Sequence, residues 1–150
     1  MTAAEATDLS ALYEADETAW LEAMADLARR GDAAGLDLEN LAEFLTDMAK
    51  RERREVKSRL AVLLAHLLKW EHQPDRRSGS WRATILEQRQ QLADAADRGV
   101  LRRHAEDVLV SAYTQAVEVA AAETGLPDAA FPAVCPYTLA AVLTADPGRG

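Results

Sequence analysis

The sequence predicts an all-α protein, an up-and-down bundle of four main helices with a short C-terminal helix packed across it. Ala and Leu dominate the apolar residues and only 5% of the 150 residues are aromatic, a composition that favours helix over strand. Glycine and proline fall between stretches of helical period. No run of alternating β-branched residues occurs. The chain is therefore expected to form a single helical domain over residues 1–150.

Four segments have the apolar spacing of an amphipathic helix. The first has an N-cap residue in Asp16 and a stop in Gly31. The apolar stripe of the second is interrupted near Met48, so the sequence leaves open whether this helix is kinked there or is continuous over about 50 Å. The predicted helices cover residues 16–30, 38–70, 80–98 and 100–124, followed by a short one at about 138–143, with loose termini at 1–11 and 145–150.

The run LAVLLAHLLKW, residues 60–70, is predicted to lie at the centre of the fold. A helix that is apolar nearly all round needs neighbours on most sides. The run is too short to span a membrane, and no signal-peptide pattern is recognised at the N-terminus. A single cysteine, Cys135, cannot form an internal disulfide, so a reducing cytoplasm is the expected location.

The net charge of −8 is distributed unevenly along the chain. Residues 1–49 carry twelve acidic and two basic side chains, residues 50–103 seven and fourteen, and residues 104–150 six and one. A basic middle between acidic ends indicates either a basic binding surface or segments that neutralise one another when packed. We favour neutralisation, because acidic segments of the same domain could shield the basic one.

The most basic segment is KRERREVKSR, which spans Lys50–Arg59 and which we interpret as a solvated helical face. Nucleic-acid binding through it is a weaker alternative, since the chain is acidic and no aromatic stacking platform is interleaved. Its mixed Arg and Glu residues would also suit an antiparallel pairing of two copies, each Arg meeting the other's Glu. The candidate basic surface consists of Arg51, Arg53, Arg54 and Lys57.

Motifs for metal or nucleophilic chemistry are absent from the sequence. Neither Glu-x-x-His nor His-x-x-x-His occurs, so no metal and no cofactor is predicted. Cys135 has apolar neighbours and precedes a proline, as a buried structural cysteine does. His66 is expected to be buried and hydrogen-bonded to Glu39 or Glu43 of the preceding helical segment.

The arginines around Trp81 form the most site-like group in the sequence. Arg82 and Arg89 are seven residues apart and share a helix face, where they could bind a phosphate or carboxylate bidentately. Pairing with the acidic residues of the first half is the favoured interpretation. The candidate polar cluster consists of Glu39, Glu43, His66, Arg82 and Arg89.

Several motifs occur in the order and spacing of a known family, over about residues 12–144. They are LDLENLAEFL, ERREVKSRLAVLLAHLLKW, SWRATILEQRQQL and the C-terminal TGLP, FP and CPYTLAAVL. In these motifs the chain resembles the bacterial family named domain of unknown function 29. The resemblance implies a compact helical bundle, common in cyanobacteria and proteobacteria, with no established activity. Arg51 stands where serine is frequent in that pattern, and Phe44 stands where an acidic residue is, so neither is assigned a family role.

The leading functional hypothesis is a small cytoplasmic helical protein-interaction module without catalytic activity. Its partner would be an unidentified protein or a second copy of the chain in a homodimer; membrane contact is not expected and nucleic acid is disfavoured. The rival hypothesis is an enzyme or small-anion-binding protein that uses His66 and the arginines around Trp81.

Overall fold

Helices make up most of the computed structural model, which describes residues 3–147 and their side chains from residue 8 onward. No β-strand occurs among these residues, and the predicted all-α bundle is confirmed. The four predicted main helices match the observed ones to within two residues at each end. The helices are α1 (Ala3–Ala15), α2 (Glu17–Arg29), α3 (Leu38–His72), α4 (Gly79–Ala96), α5 (Gly99–Thr124) and α6 (Leu139–Thr144).

Polar caps and one glycine define several helix ends. The Asp16 carboxylate accepts a hydrogen bond from the backbone N–H of Ala19 at 3.1 Å, at the start of α2. The Ser78 hydroxyl accepts one from the N–H of Trp81 at 3.1 Å, at the start of α4. Gly125 ends α5 with a φ of 75°, a left-handed conformation that favours glycine. These local signals explain why the predicted bounds agree with the structure.

Helix α3 is continuous from Leu38 to His72, without a break near Met48. Its 35 residues correspond to a length of about 50 Å. No helix within residues 3–147 is both long and apolar enough to cross a bilayer.

The chain forms two compact units, Met1–Lys50 and Arg51–Gly150. The core of the first unit contains Trp20, Met24 and Leu27, against which partly buried side chains of α1, the α2–α3 loop and α3 pack. Where a loose start was predicted for residues 1–11, the structure has helix α1 from Ala3 onward, and residues 1–2 lie outside the described part. The helical state of α1 is explained by packing against this cluster, since tertiary packing stabilises most short helices.

The second unit is built around the C-terminal half of α3. The run at residues 60–70 supplies most of its fully buried leucines, in agreement with its predicted central position. Small alanine side chains on the buried face of α5 allow neighbouring helices to approach closely. The core residues are Val56, Leu60, Leu63, Leu64, Ala65, Leu67, Leu68, Ile85, Leu92, Ala96, Ala105, Ala112, Tyr113, Ala116, Ala120, Phe131, Leu139 and Val142.

Candidate functional site

A buried lysine is the most unusual polar feature of the second unit. Lys69 of α3 is 5% exposed, and its ammonium nitrogen Nζ lies 2.5 Å from Oε2 of Glu123 on α5. The same nitrogen is 4.9 Å from the centroid of the Trp81 ring on α4. A buried charge is costly unless it is paired, and here a carboxylate and an aromatic face compensate it. Three helices thus meet at one cation.

Sequence reasoning missed Lys69 and Glu123. A usable signal is the position of Lys69 inside a largely apolar run, three residues after His66 and next to the buried Leu68. A lysine on a face that is buried needs an acidic partner. The identity of that partner is not visible in the sequence, because Glu123 lies 54 residues away.

His66 lies one turn before Lys69 and is half-buried. Its Nδ1 lies 2.9 Å from the carbonyl oxygen of Val62 in the same helix, so Nδ1 carries the proton and donates to it. This carbonyl takes the place of the Glu39 or Glu43 carboxylate that the sequence suggested. Burial lowers the pKa of His66 below its ordinary value of 6.5, and the nearby Lys69 ammonium lowers it further.

We expect His66 to make the protein less stable in mild acid. Since the pKa of His66 is lower in the folded than in the unfolded chain, the unfolded chain takes up this proton more readily. The stability contribution is present above pH 6.5 and is lost as the pH falls through and below that value. Urea unfolding between about pH 7 and 5 should therefore show a smaller decline for His66→Gln than for the wild type. Equal declines in both proteins would contradict this assignment.

Arg82 and Arg89 of α4 both bind the segment that follows α6. Nη2 of Arg82 is 3.4 Å from Oδ1 of Asp146, and Nη1 of Arg89 donates to the carbonyl oxygen of Ala145 at 3.2 Å. These arginines thus bind residues near the C-terminus, whereas the sequence suggested that they would pair with acidic residues of the first half of the chain. A loose end was predicted from residue 145, but Ala145 and Asp146 are held by these two contacts. Residues 148–150 lie outside the described part.

A cavity of about 400 Å³ lies beside these contacts in the second unit. Arg77 forms one wall: its Nε donates to the carbonyl oxygen of Trp70 at 2.7 Å, and its guanidinium carbon is 5.0 Å from the Trp70 ring centroid. Tyr137 lines the cavity as well, and burial, together with the Glu71 carboxylate, raises the pKa of its hydroxyl well above the usual range. The phenol therefore stays protonated and can only act as a neutral polar group. Leu67 contributes apolar surface.

The predicted acidic and basic surface residues lie on α3. Glu39 and Glu43 belong to the first unit and are exposed. Arg51 and Arg54 of the second unit are exposed, whereas Arg53 and Lys57 are half-buried. None of these four basic side chains forms an ion pair within its unit. The neighbouring Arg59 differs, because it binds Glu55 at 2.7 Å and Gln88 at 3.1 Å.

The members of the predicted polar cluster that belong to the second unit lie at two positions. Within the second unit, Arg82 and Arg89 meet at the end of α6, while His66 lies beside Lys69. In the part of the chain that the structure describes, no group of three or more His, Cys, Asp or Glu side chains could hold a metal ion. The polar groups with the most specific geometry thus contact other parts of the protein.

A family model matches residues 12–146 of the chain, nearly its whole length. No curated protein and no solved structure matches the chain. The match includes α2 to α6 and begins within α1. The chain belongs to the family described as Domain of unknown function DUF29.

Proposed function

We propose that this protein is a small helical protein-interaction module of the bacterial cytoplasm, without catalytic activity of its own. The observation that carries the proposal is the exposure of the middle of α3. From Leu45 to Glu55 every residue except Arg53 is exposed, which leaves three turns of helix with almost no packing. We call residues 45–55 the exposed α3 segment.

Helices in proteins are stabilised mainly by packing of an apolar face, so a long uncovered stretch is a suitable surface for a partner. The exposed α3 segment has apolar side chains on its surface, with Leu45 57% and Met48 38% exposed. It also carries unpaired charges, including those of Arg51 and Arg54. Methionine and arginine side chains are enriched at surfaces that bind other proteins.

The rival enzyme or anion-binding function has weaker support. Its key groups already bind protein atoms: Arg82 binds Asp146, and Arg89 binds the carbonyl oxygen of Ala145. An incoming anion would have to displace these contacts. His66 donates to its own helix through Nδ1, and only its Nε2 is left for chemistry.

Site-specific photo-crosslinking in the native host tests the proposal. A photoreactive phenylalanine analogue would replace Thr46 or Met48, which lie on opposite faces of α3. The matched control is the same analogue at Val110 of α5, which is 71% exposed. We expect a discrete protein adduct from at least one α3 position and none from Val110. No adduct from either α3 position, or the same adduct from all three, would overturn the proposal.

A further inference from the structure

We infer that the partner of α3 is a second copy of this chain, which binds antiparallel along one charged face of the helix. The inference rests on the proposed function and names its partner. At 100° per residue, six charged residues of α3 fall within an arc of about 80°. This charged face consists of Glu39, Glu43, Asp47, Lys50, Arg54 and Lys57.

The charges on this face are sorted by sign along the helix. The three acidic residues come first and the three basic residues follow, with the change of sign between Asp47 and Lys50. All six are exposed except Lys57, which is half-buried, and none forms an ion pair among the described residues. The face is therefore available to a partner.

Such an order is self-complementary when two copies pair antiparallel. A two-fold axis at the midpoint between Met48 and Ala49 places Asp47 opposite Lys50 of the other copy. The same axis places Glu43 opposite Arg54, and Glu39 within one residue of the position opposite Lys57. Symmetry makes every pair occur twice, as an isologous interface requires. A parallel pairing in the same register would place like charges together, so the face also specifies direction.

Within one helix most neighbouring charges of this face are alike, and only Asp47 and Lys50, three residues apart, are of opposite sign. Glu43 stands four residues from both Glu39 and Asp47, and Lys50 stands four residues from Arg54. Like charges at this spacing face each other on a helix and repel. An antiparallel second copy supplies the opposite charge at each of these positions.

The strength of the pairing should depend on salt. Single exposed ion pairs contribute little, and a network of them is screened as ionic strength rises. We therefore expect a reversible dimer at about 20 mM salt that dissociates at about 0.5 M, where the screening length is only a few ångströms. Size-exclusion chromatography with light scattering measures the mass under both conditions.

Charge reversals test the register. Glu43→Arg makes the charged face more basic and Arg54→Glu makes it more acidic. In a dimer of either variant alone, positions 43 and 54 of the two copies would therefore carry like charges and repel each other. We expect each to weaken the low-salt dimer at least about tenfold. An equimolar mixture of the two should dimerise, because the arginine introduced in one variant would meet the glutamate introduced in the other, while the remaining Arg54 and Glu43 would pair as in the wild type. The Glu43→Arg/Arg54→Glu double variant should also recover self-association.

Arg98→Glu is the control matched to Arg54→Glu, because it makes the same charge change at a side chain that is 91% exposed and lies between α4 and α5. It should leave the dimer intact, and circular dichroism should show that all variants fold. A wild-type monomer at both salt concentrations would overturn the inference, and so would a dimer that the single reversals leave unchanged or that the mixture fails to restore. If the photo-crosslinked adduct contains a different protein and the wild type is monomeric, the proposed function stands and this inference falls.

Discussion

Replacing Leu63 with alanine is expected to lower the free energy of unfolding by about 2–5 kcal/mol. Leu63 is fully buried at the centre of the second unit, among the leucines of α3 and the inner faces of α4 and α5. The truncation loses the transfer free energy of the removed methyl groups and leaves a cavity that a close-packed core fills only in part. The loss is a large share of the stability of a typical domain, about 5–15 kcal/mol.

Leu45→Ala provides a matched control, since it is the same substitution in the same helix at a position that is 57% exposed. It should change the free energy of unfolding by no more than about 0.5 kcal/mol. Urea unfolding followed by far-ultraviolet circular dichroism compares the two variants. Similar midpoints for both would show that the run at residues 60–70 is not the centre of the core.

The fold was largely predictable because its signals are local. Asp16 and Gly125 bound helices through their own backbone and side-chain chemistry, and the spacing of leucines from Leu60 onward identified the buried stripe. Helix α1 was missed because most of its apolar residues are alanines, and its few larger ones, such as Leu9 and Leu12, pack in a context that includes Trp20. That context is tertiary, and no short window of sequence contains it.

The partners of the polar side chains were far less predictable. Arg89 binds the carbonyl oxygen of Ala145, 56 residues away, and Lys69 binds Glu123, 54 residues away. Composition identified acidic residues as suitable partners, but every acidic segment meets that criterion equally. The choice among them depends on which helices are neighbours. Phe44 stands where an acidic residue is found in the family pattern. The structure gives a reason for an aromatic residue there, because its ring centroid lies 5.9 Å from that of Trp20.

Replacing Trp20 with alanine is expected to cost the first unit about 3–5 kcal/mol. Trp20 is fully buried, and its ring centroid lies 4.7 Å from that of Tyr13 and 5.9 Å from that of Phe44. Its indole Nε1 donates to Oδ2 of Asp37 at 3.1 Å, and the same oxygen accepts from Asn40 at 2.7 Å. Alanine would remove the largest side chain of a small core together with this hydrogen bond.

Trp20→Phe separates the two effects, because it keeps most of the apolar volume and removes only the indole donor. It should cost markedly less than the alanine variant, with about 1 kcal/mol assigned to the lost hydrogen bond. Hydrogen exchange locates the loss: amides of α2 should lose protection in Trp20→Ala, while those of α5 should keep theirs, because the buried residues of the two units form separate clusters. Equal losses in α2 and α5 would mean that the two clusters unfold together.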